Sequence, residues 1–194
     1  MRKALVLGGA GFVGSALSRR LVESGEFEVT VIDKFVFGNG LAGFTSDHLL
    51  VVDGDVSDVD VISDTLEQEK FDVVFHLAAN SDIRASVENP AIDLVNTFGT
   101  SSALALALAK ANYFVPRIVF SSTSAVFGSH AAPIDNDAVQ RPESAYGWMK
   151  LASEHNMRQL EDCGLTGSLR IIRFPNVTGL GQTHGVVKDL CAKA

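Results

Sequence analysis

Residues 3–14 read KALVLGGAGFVG, and this stretch decides the fold. A short apolar run, 3–7, ends at Gly8 and Gly9. Over 16–22 the apolar positions recur at helical spacing, with Arg19, Arg20 and Glu23 outward. Strand, glycine turn and helix together can hold a dinucleotide pyrophosphate. Amides at the helix N-terminus face the phosphates, and glycines without Cβ atoms let them approach. Two registers fit, GxGxxG through Gly9, Gly11 and Gly14 and GxxGxxG through Gly8, Gly11 and Gly14. Gly8 or Gly9, by register, with Gly11, Phe12, Val13 and Gly14 are the candidate cofactor residues, and the strand–helix context outweighs an ordinary tight turn.

Outward from the turn, a second strand over 28–32 ends at Asp33, 19 residues after Gly14. That is close to the spacing of about 20 for the acid that hydrogen-bonds an adenosine ribose. Its charge repels a 2′-phosphate, so NAD is expected over NADP, with Lys34 leaving some tolerance. A loop fills 35–46, and 49–52 reads, like 28–32, as a buried parallel strand. A helix follows from Ser57 and Asp58 to about 68, then a strand over 71–77, a helix over 90–111 and a strand over 117–121. A loop over 122–141, a helix over 143–162, a strand over 168–173 and a terminal helix from about Gly185 complete the pattern. Strands alternating with helices predict an α/β fold: a doubly wound parallel sheet of Rossmann type with helices on both faces. At 194 residues the chain is expected to be one domain.

With 46% hydrophobic and 20% charged residues, disorder is excluded as a global description. Sixteen Lys and Arg against 23 Asp and Glu give a net charge of −7 without a dense basic run, which argues against a nucleic-acid partner. The N-terminal apolar run stops at Leu7, too short for a signal peptide. The apolar stretch 103–109 falls far short of the roughly 20 residues of a membrane span, so no membrane partner and a cytoplasmic address are expected. Cys163 and Cys191 read as free thiols. His48, His76, His130, His155 and His184 show no metal-ligand spacing, so no metal is expected.

Tyr146 and Lys150 lie four apart on the helix over 143–162 and share one face. A free phenol titrates near pH 10, too high for a base at neutrality, and a neighbouring ammonium lowers it. The pair follows a strand that runs into Ser121, Ser122, Thr123 and Ser124 at the carboxyl edge of the sheet, where open α/β folds bind ligands.

These residues carry a resemblance. GGAGFVG, VIDK, GDVSD, HLAA, NTFGT, SSTSAVFG, YGWMK and RFPNVTG occur in family order over nearly the whole chain. The chain resembles the extended short-chain dehydrogenase/reductases, specifically the NAD-dependent epimerase/dehydratase family of nucleotide-sugar enzymes. The resemblance implies that Asp55 and Val56 flank the adenine and that Leu77, Ala78, Ala79 and Asn96 line the cofactor. It implies that Ser121 meets the nicotinamide end and that Phe174 lies against the nicotinamide. Thr123, Tyr146 and Lys150 are the implied catalytic residues. Tyr146 acts as acid and base, and Lys150 holds the nicotinamide ribose while lowering the tyrosine pKa. Thr123 and Ser124 face the substrate, and Asn176 contacts its diphosphate. His76 reads as packing or cofactor support.

The implied reaction is epimerisation of a nucleotide sugar through a keto intermediate. Family dehydratases carry an Asp and a Glu after the active-site threonine, where this chain has Ser124 and Ala125, which favours an epimerase. The run from Arg173 through GLGQTHGVVKD is similar to a subgroup acting on UDP-glucose or UDP-galactose. A dehydratase, another extended short-chain reductase, and a non-catalytic NAD-binding fragment or sensor are the alternatives. Family members continue well beyond this length into a smaller substrate lobe. Residues 1–194 are therefore expected to be the NAD-binding domain, with that lobe truncated or absent, and poorly active alone. In the family the helix over 90–111 and its neighbour often form a dimer interface, so a homodimer is expected.

Overall fold

A computed structural model describes residues 1–130, 133–135, 137–179 and 181–182. The strand that precedes the glycine turn, β1 (Arg2–Leu7), lies in the middle of the sheet, with Ala4 to Leu7 fully buried. On one side it pairs with β2 (Phe27–Asp33), which pairs with β3 (Leu49–Asp53). On the other it pairs with β4 (Val73–His76), followed by β5 (Ile118–Thr123) and β6 (Leu169–Phe174). All five pairings are parallel, in the order β3-β2-β1-β4-β5-β6. Leu7 stands between Ile32 and His76 in register, so the chain turns at Gly8 where the strand order reverses. That switch point is where open parallel sheets bind ligands.

Leu5 and Leu7 face one side of the sheet and Val6 the other, as strand alternation requires. The first side packs on α2 (Val59–Gln68), α5 (Thr100–Lys110) and α6 (Ala145–Asp162), through Ile62, Leu66, Leu104, Leu108, Met157 and Leu160. The second packs on α1 (Phe12–Glu23) through Val22 and Leu17. Helices thus flank both faces, as expected, but unequally. On the second face α1 is joined by Leu41, Phe35 and Phe44 from the loop after β2, and Ile172 of β6 is 44% exposed.

Three expectations are corrected. β3 is not a buried strand: among the described residues it is the sheet edge, with Leu50 53% exposed. A helix not foreseen in the sequence, α3 (Ile83–Glu88), precedes Pro90. The expected helix over 90–111 begins as α4 (Ala91–Asp93), passes through a π-helical turn (Leu94–Gly99) and continues as α5. Ala91–Lys110 is thereby a single 20-residue helix of mean hydropathy 1.3, long and apolar enough to cross a membrane. In this fold its buried face packs on the sheet and on α2 and α6, and that face includes Asp93, Thr97, Thr100 and Ser101. Cys163 is exposed and free; Cys191, His184 and the helix expected near Gly185 lie outside the described residues.

Candidate active site

The glycine turn is built by steric exclusion. Gly8 has φ +79°, and a Cβ there would stand 2.7 Å from the Ala78 backbone nitrogen. Ala78 thus forms the floor of the turn. A Cβ on Gly14 would overlap the Gly8 carbonyl oxygen, and one on Gly9 would press on Val31 at 2.8 Å. Both glycine registers are therefore sterically occupied. Gly11 differs, because a Cβ there would meet no protein atom nearer than 3.5 Å. It is the N-cap of α1 and offers no side-chain cap to the first-turn amides of Phe12, Val13 and Gly14. Uncapped amides under an open Cβ position fit a dinucleotide phosphate held at a helix N-terminus.

Asp33 is anchored on both oxygens: Oδ2 accepts from Ala10 N (2.9 Å) and Oδ1 from Phe35 N (2.8 Å). Each oxygen keeps a lone pair for a ribose hydroxyl. Phe35 takes φ +55°, a strained conformation for an aromatic residue, directly after this acid and Lys34. Lys34 Nζ donates to Asp55 Oδ2 (2.8 Å) and Asn96 Oδ1 (2.7 Å), joining three expected cofactor residues in one bridge. The tolerance ascribed to Lys34 is therefore reduced, since its ammonium is already engaged. Asp55 Oδ1 also takes two hydrogen bonds from Ser57. Burial opposes its ionisation, but Lys34 and Ser57 outweigh that and hold its carboxyl below the usual range. Val56 is buried in the core behind them. Asn96 sits in the π turn, a geometry frequent at functional sites.

Beside the turn lies a cleft of about 270 Å³, lined by the ends of β4, β5 and β6 and the first turns of α6. Val13, Leu77, Ala79, Ser121, Thr123, Tyr146, Lys150, Phe174 and Asn176, all expected at the site, open onto it. Ser124 does not: it is exposed in the 3-10 turn after β5. A larger hollow of about 450 Å³, between β3 and α2, contains none of the expected site residues.

Ser144 caps α6 by accepting from Gly147 N (3.1 Å), which fixes the helix one turn before Lys150. Lys150 is buried, donates from Nζ to the Ser121 carbonyl (2.8 Å) and lies 4.9 Å over the Phe120 ring. Burial pulls its pKa down to about 7, against upward pulls from Glu154 and Asp93. Tyr146 departs from expectation: burial, reinforced by Asp93, pushes its phenol up to about 12. A lysine itself titrating near neutrality is a weak source of positive charge for the phenol. Thr123 Oγ1 accepts from Ala125 N (3.1 Å), leaving its hydroxyl hydrogen free to donate. His76 is fully buried, 5.3 Å from the Phe120 ring, with no well-formed hydrogen bond at either nitrogen among the described residues. Burial and then the Lys150 charge press its pKa to about 4, so it stays neutral at physiological pH.

Three charged groups escaped sequence reasoning. Asp93 is buried, with Oδ1 accepting from Asn80 Nδ2 (2.9 Å) and Thr97 Oγ1 (3.2 Å). Glu154, one turn after Lys150, pairs with Arg173 from β6. The spacing of Lys150 and Glu154 was a usable signal; nothing in the sequence pointed to Asp93.

The model of the NAD dependent epimerase/dehydratase family matches residues 4–194. The chain belongs to this family. Among its curated relatives, the UDP-glucose 4-epimerase of Corynebacterium glutamicum is 38% identical over 182 residues, covering 91% of this chain and 52% of that protein. That of Streptococcus mutans is 36% identical over 187 residues, covering 95% and 55%. The chain therefore spans about half the length of these family members. A crystal structure of UDP-galactose 4-epimerase superposes with TM-score 0.85 at 29% identity, over 98% of this chain and 62% of that one. The Thermus thermophilus UDP-glucose 4-epimerase complex with NAD gives 0.86 at 26%, over 98% and 60%. The family is NAD dependent, and the cradle around Gly11 fits that cofactor.

Proposed function

We propose that this chain is the NAD-binding and catalytic portion of a UDP-sugar 4-epimerase that interconverts UDP-glucose and UDP-galactose through a keto sugar. The carrying observation is that Thr123, Tyr146 and Lys150 open onto one cleft with Phe174 and Asn176, beside the glycine turn. The curated relatives named as UDP-glucose 4-epimerases support the substrate class. NAD, when bound, supplies a hydride acceptor that gives the hydride back. Gly8, Gly11 to Gly14, Asp33, Lys34, Asp55, Val56, Leu77 to Ala79, Asn96 and Ser121 hold it in this reading.

The chain's own groups move the proton. Tyr146 Oη, as the phenolate, takes it from the sugar hydroxyl and returns it, and the positive charge that bound NAD would bring to the cleft would offset the burial that lifts the phenol here; the free Thr123 hydroxyl hydrogen steadies the same sugar oxygen. Lys150 Nζ, fixed by the Ser121 carbonyl, would hold the ribose of the cofactor. Asn176 reaches the sugar diphosphate. The position after Thr123 argues against elimination of water: Ser124 is exposed, and Ala125 serves Thr123 through its backbone amide. A homodimer is supported by the exposed apolar side chains Leu94, Val95 and Leu106 of Ala91–Lys110 and Trp148 of the adjoining α6. A cytoplasmic location belongs to this reading.

Incubation with UDP-galactose and NAD tests the reading. Conversion to UDP-glucose without net NADH is expected. Net NADH or a dehydrated product overturns the epimerase reading, and NAD binding without turnover reduces the role of this chain to cofactor binding.

A further inference from the structure

Glu154 is fully buried one turn after Lys150, yet its carboxylate gathers donors from three elements. Oε1 accepts from Ser122 Oγ of β5 (2.6 Å) and Arg173 Nε of β6 (2.9 Å). Oε2 accepts from Arg173 Nη2 (2.7 Å) and, on its own helix, Arg158 Nη2 (3.3 Å). Ser122 and Arg173 are partners in register, as are their neighbours Thr123 and Phe174, which both open onto the cleft. Ser122 also follows Ser121, whose carbonyl receives Lys150 Nζ. Desolvating such a pair offsets most of its attraction, so net stability is a poor account of its presence, while geometry is a good one.

We propose that Glu154 is a positioning residue: one buried carboxylate that locks the ends of β5 and β6 onto the helix carrying Tyr146 and Lys150, and gives the Lys150 ammonium an anionic neighbour. The proposal rests on the NAD-binding reading of the cleft. The other groups facing Lys150 are Asp93 from α4, His76 from β4 and Tyr146 from its own helix. Glu154 itself faces Arg158, Arg173 and Ser122. Losing the Glu154 charge leaves Lys150 more readily neutral, and losing the Arg158 charge, which partly neutralises Glu154 at 3.3 Å, does the reverse.

Calorimetric NAD titrations across a pH series, on the whole chain and on Glu154→Gln and Arg158→Gln, test this, with thermal melts as a folding control. The wild-type affinity falls as rising pH discharges Lys150. For Glu154→Gln the affinity at neutral pH is expected to fall about tenfold, and its pH midpoint to move down. For Arg158→Gln, altered only at a partly exposed side chain, the midpoint moves up. A folded Glu154→Gln with an unmoved midpoint marks a merely structural residue and overturns the proposal. If that variant does not fold, an Arg158→Gln midpoint that stays put or falls overturns it equally. A wild-type chain that leaves NAD unbound at every pH overturns the cofactor reading and this proposal with it.

Discussion

Gly14 is packed so closely against Gly8 that a Cβ on Gly14 would overlap the Gly8 carbonyl oxygen and stand 2.8 Å from the Gly9 Cα. The backbone has to move to admit a methyl group. Gly14→Ala should therefore cost about 2–3 kcal/mol of stability, typical of core overpacking, and lose NAD binding with it. Gly11→Ala should behave oppositely, melting within a degree or two of wild type while NAD affinity drops at least tenfold, because its methyl enters space that no protein atom needs. Paired melting and titration measurements separate the two. Equal losses of stability would remove the distinction.

Tyr146→Phe should leave NAD affinity within about twofold and reduce turnover by about 10²–10⁴, the usual contribution of a positioned acid–base group. The comparison needs only a binding titration and an epimerase assay on the same preparation. Retained turnover would dismiss the phenol as the proton carrier.

Asp93 adds to the burial that lifts Tyr146. In Asp93→Asn the phenol should titrate below about 12 yet stay above its ordinary 10.0, since burial, the larger cause, remains. The chain has two tyrosines, so ring-carbon NMR with Tyr113→Phe for assignment reads the shift directly. An unchanged titration would show that the charge of Asp93 does not reach the phenol.

His76 ties folding to acidity. Its folded pKa of about 4 lies below its ordinary 6.5, so between these values the unfolded chain binds more protons than the folded one. The contribution is complete above about pH 6.5 and is lost as pH falls toward 4, reaching about 3 kcal/mol. Melting temperature should decline across that window in wild type and decline less in His76→Leu. Parallel curves would place the acid sensitivity elsewhere.

What the sequence revealed was local. Gly8 to Gly14 and the Tyr146–Lys150 pair are read within a turn or two of chain, and backbone geometry maps such spacing directly onto one face. Pairings across the sheet carry no such spacing. Glu154 and Arg173 lie 19 residues apart on different elements and meet because β6 adds beside β5. The apolar composition of 49–52 suggested burial but carried no information on sheet order, which leaves β3 at the edge. The buried Asp93 sits in a helix in which the sequence singles out only Asn96, for the cofactor. Its role is set by Asn80 and Thr97 on either side.

Ala10, in the middle of the glycine turn, is held from two directions, by the end of β2 and by the loop after it: its amide by Asp33 Oδ2 (2.9 Å) and its carbonyl by Gly40 N (2.9 Å). The acid expected to meet the ribose is thus also a structural strut of the glycine turn. Re-engineering this protein toward NADP by replacing Asp33 alone would admit the extra phosphate and, in the same stroke, slacken the grip on the two phosphates common to both coenzymes. A useful swap has to return a hydrogen-bond acceptor to Ala10 from a second position.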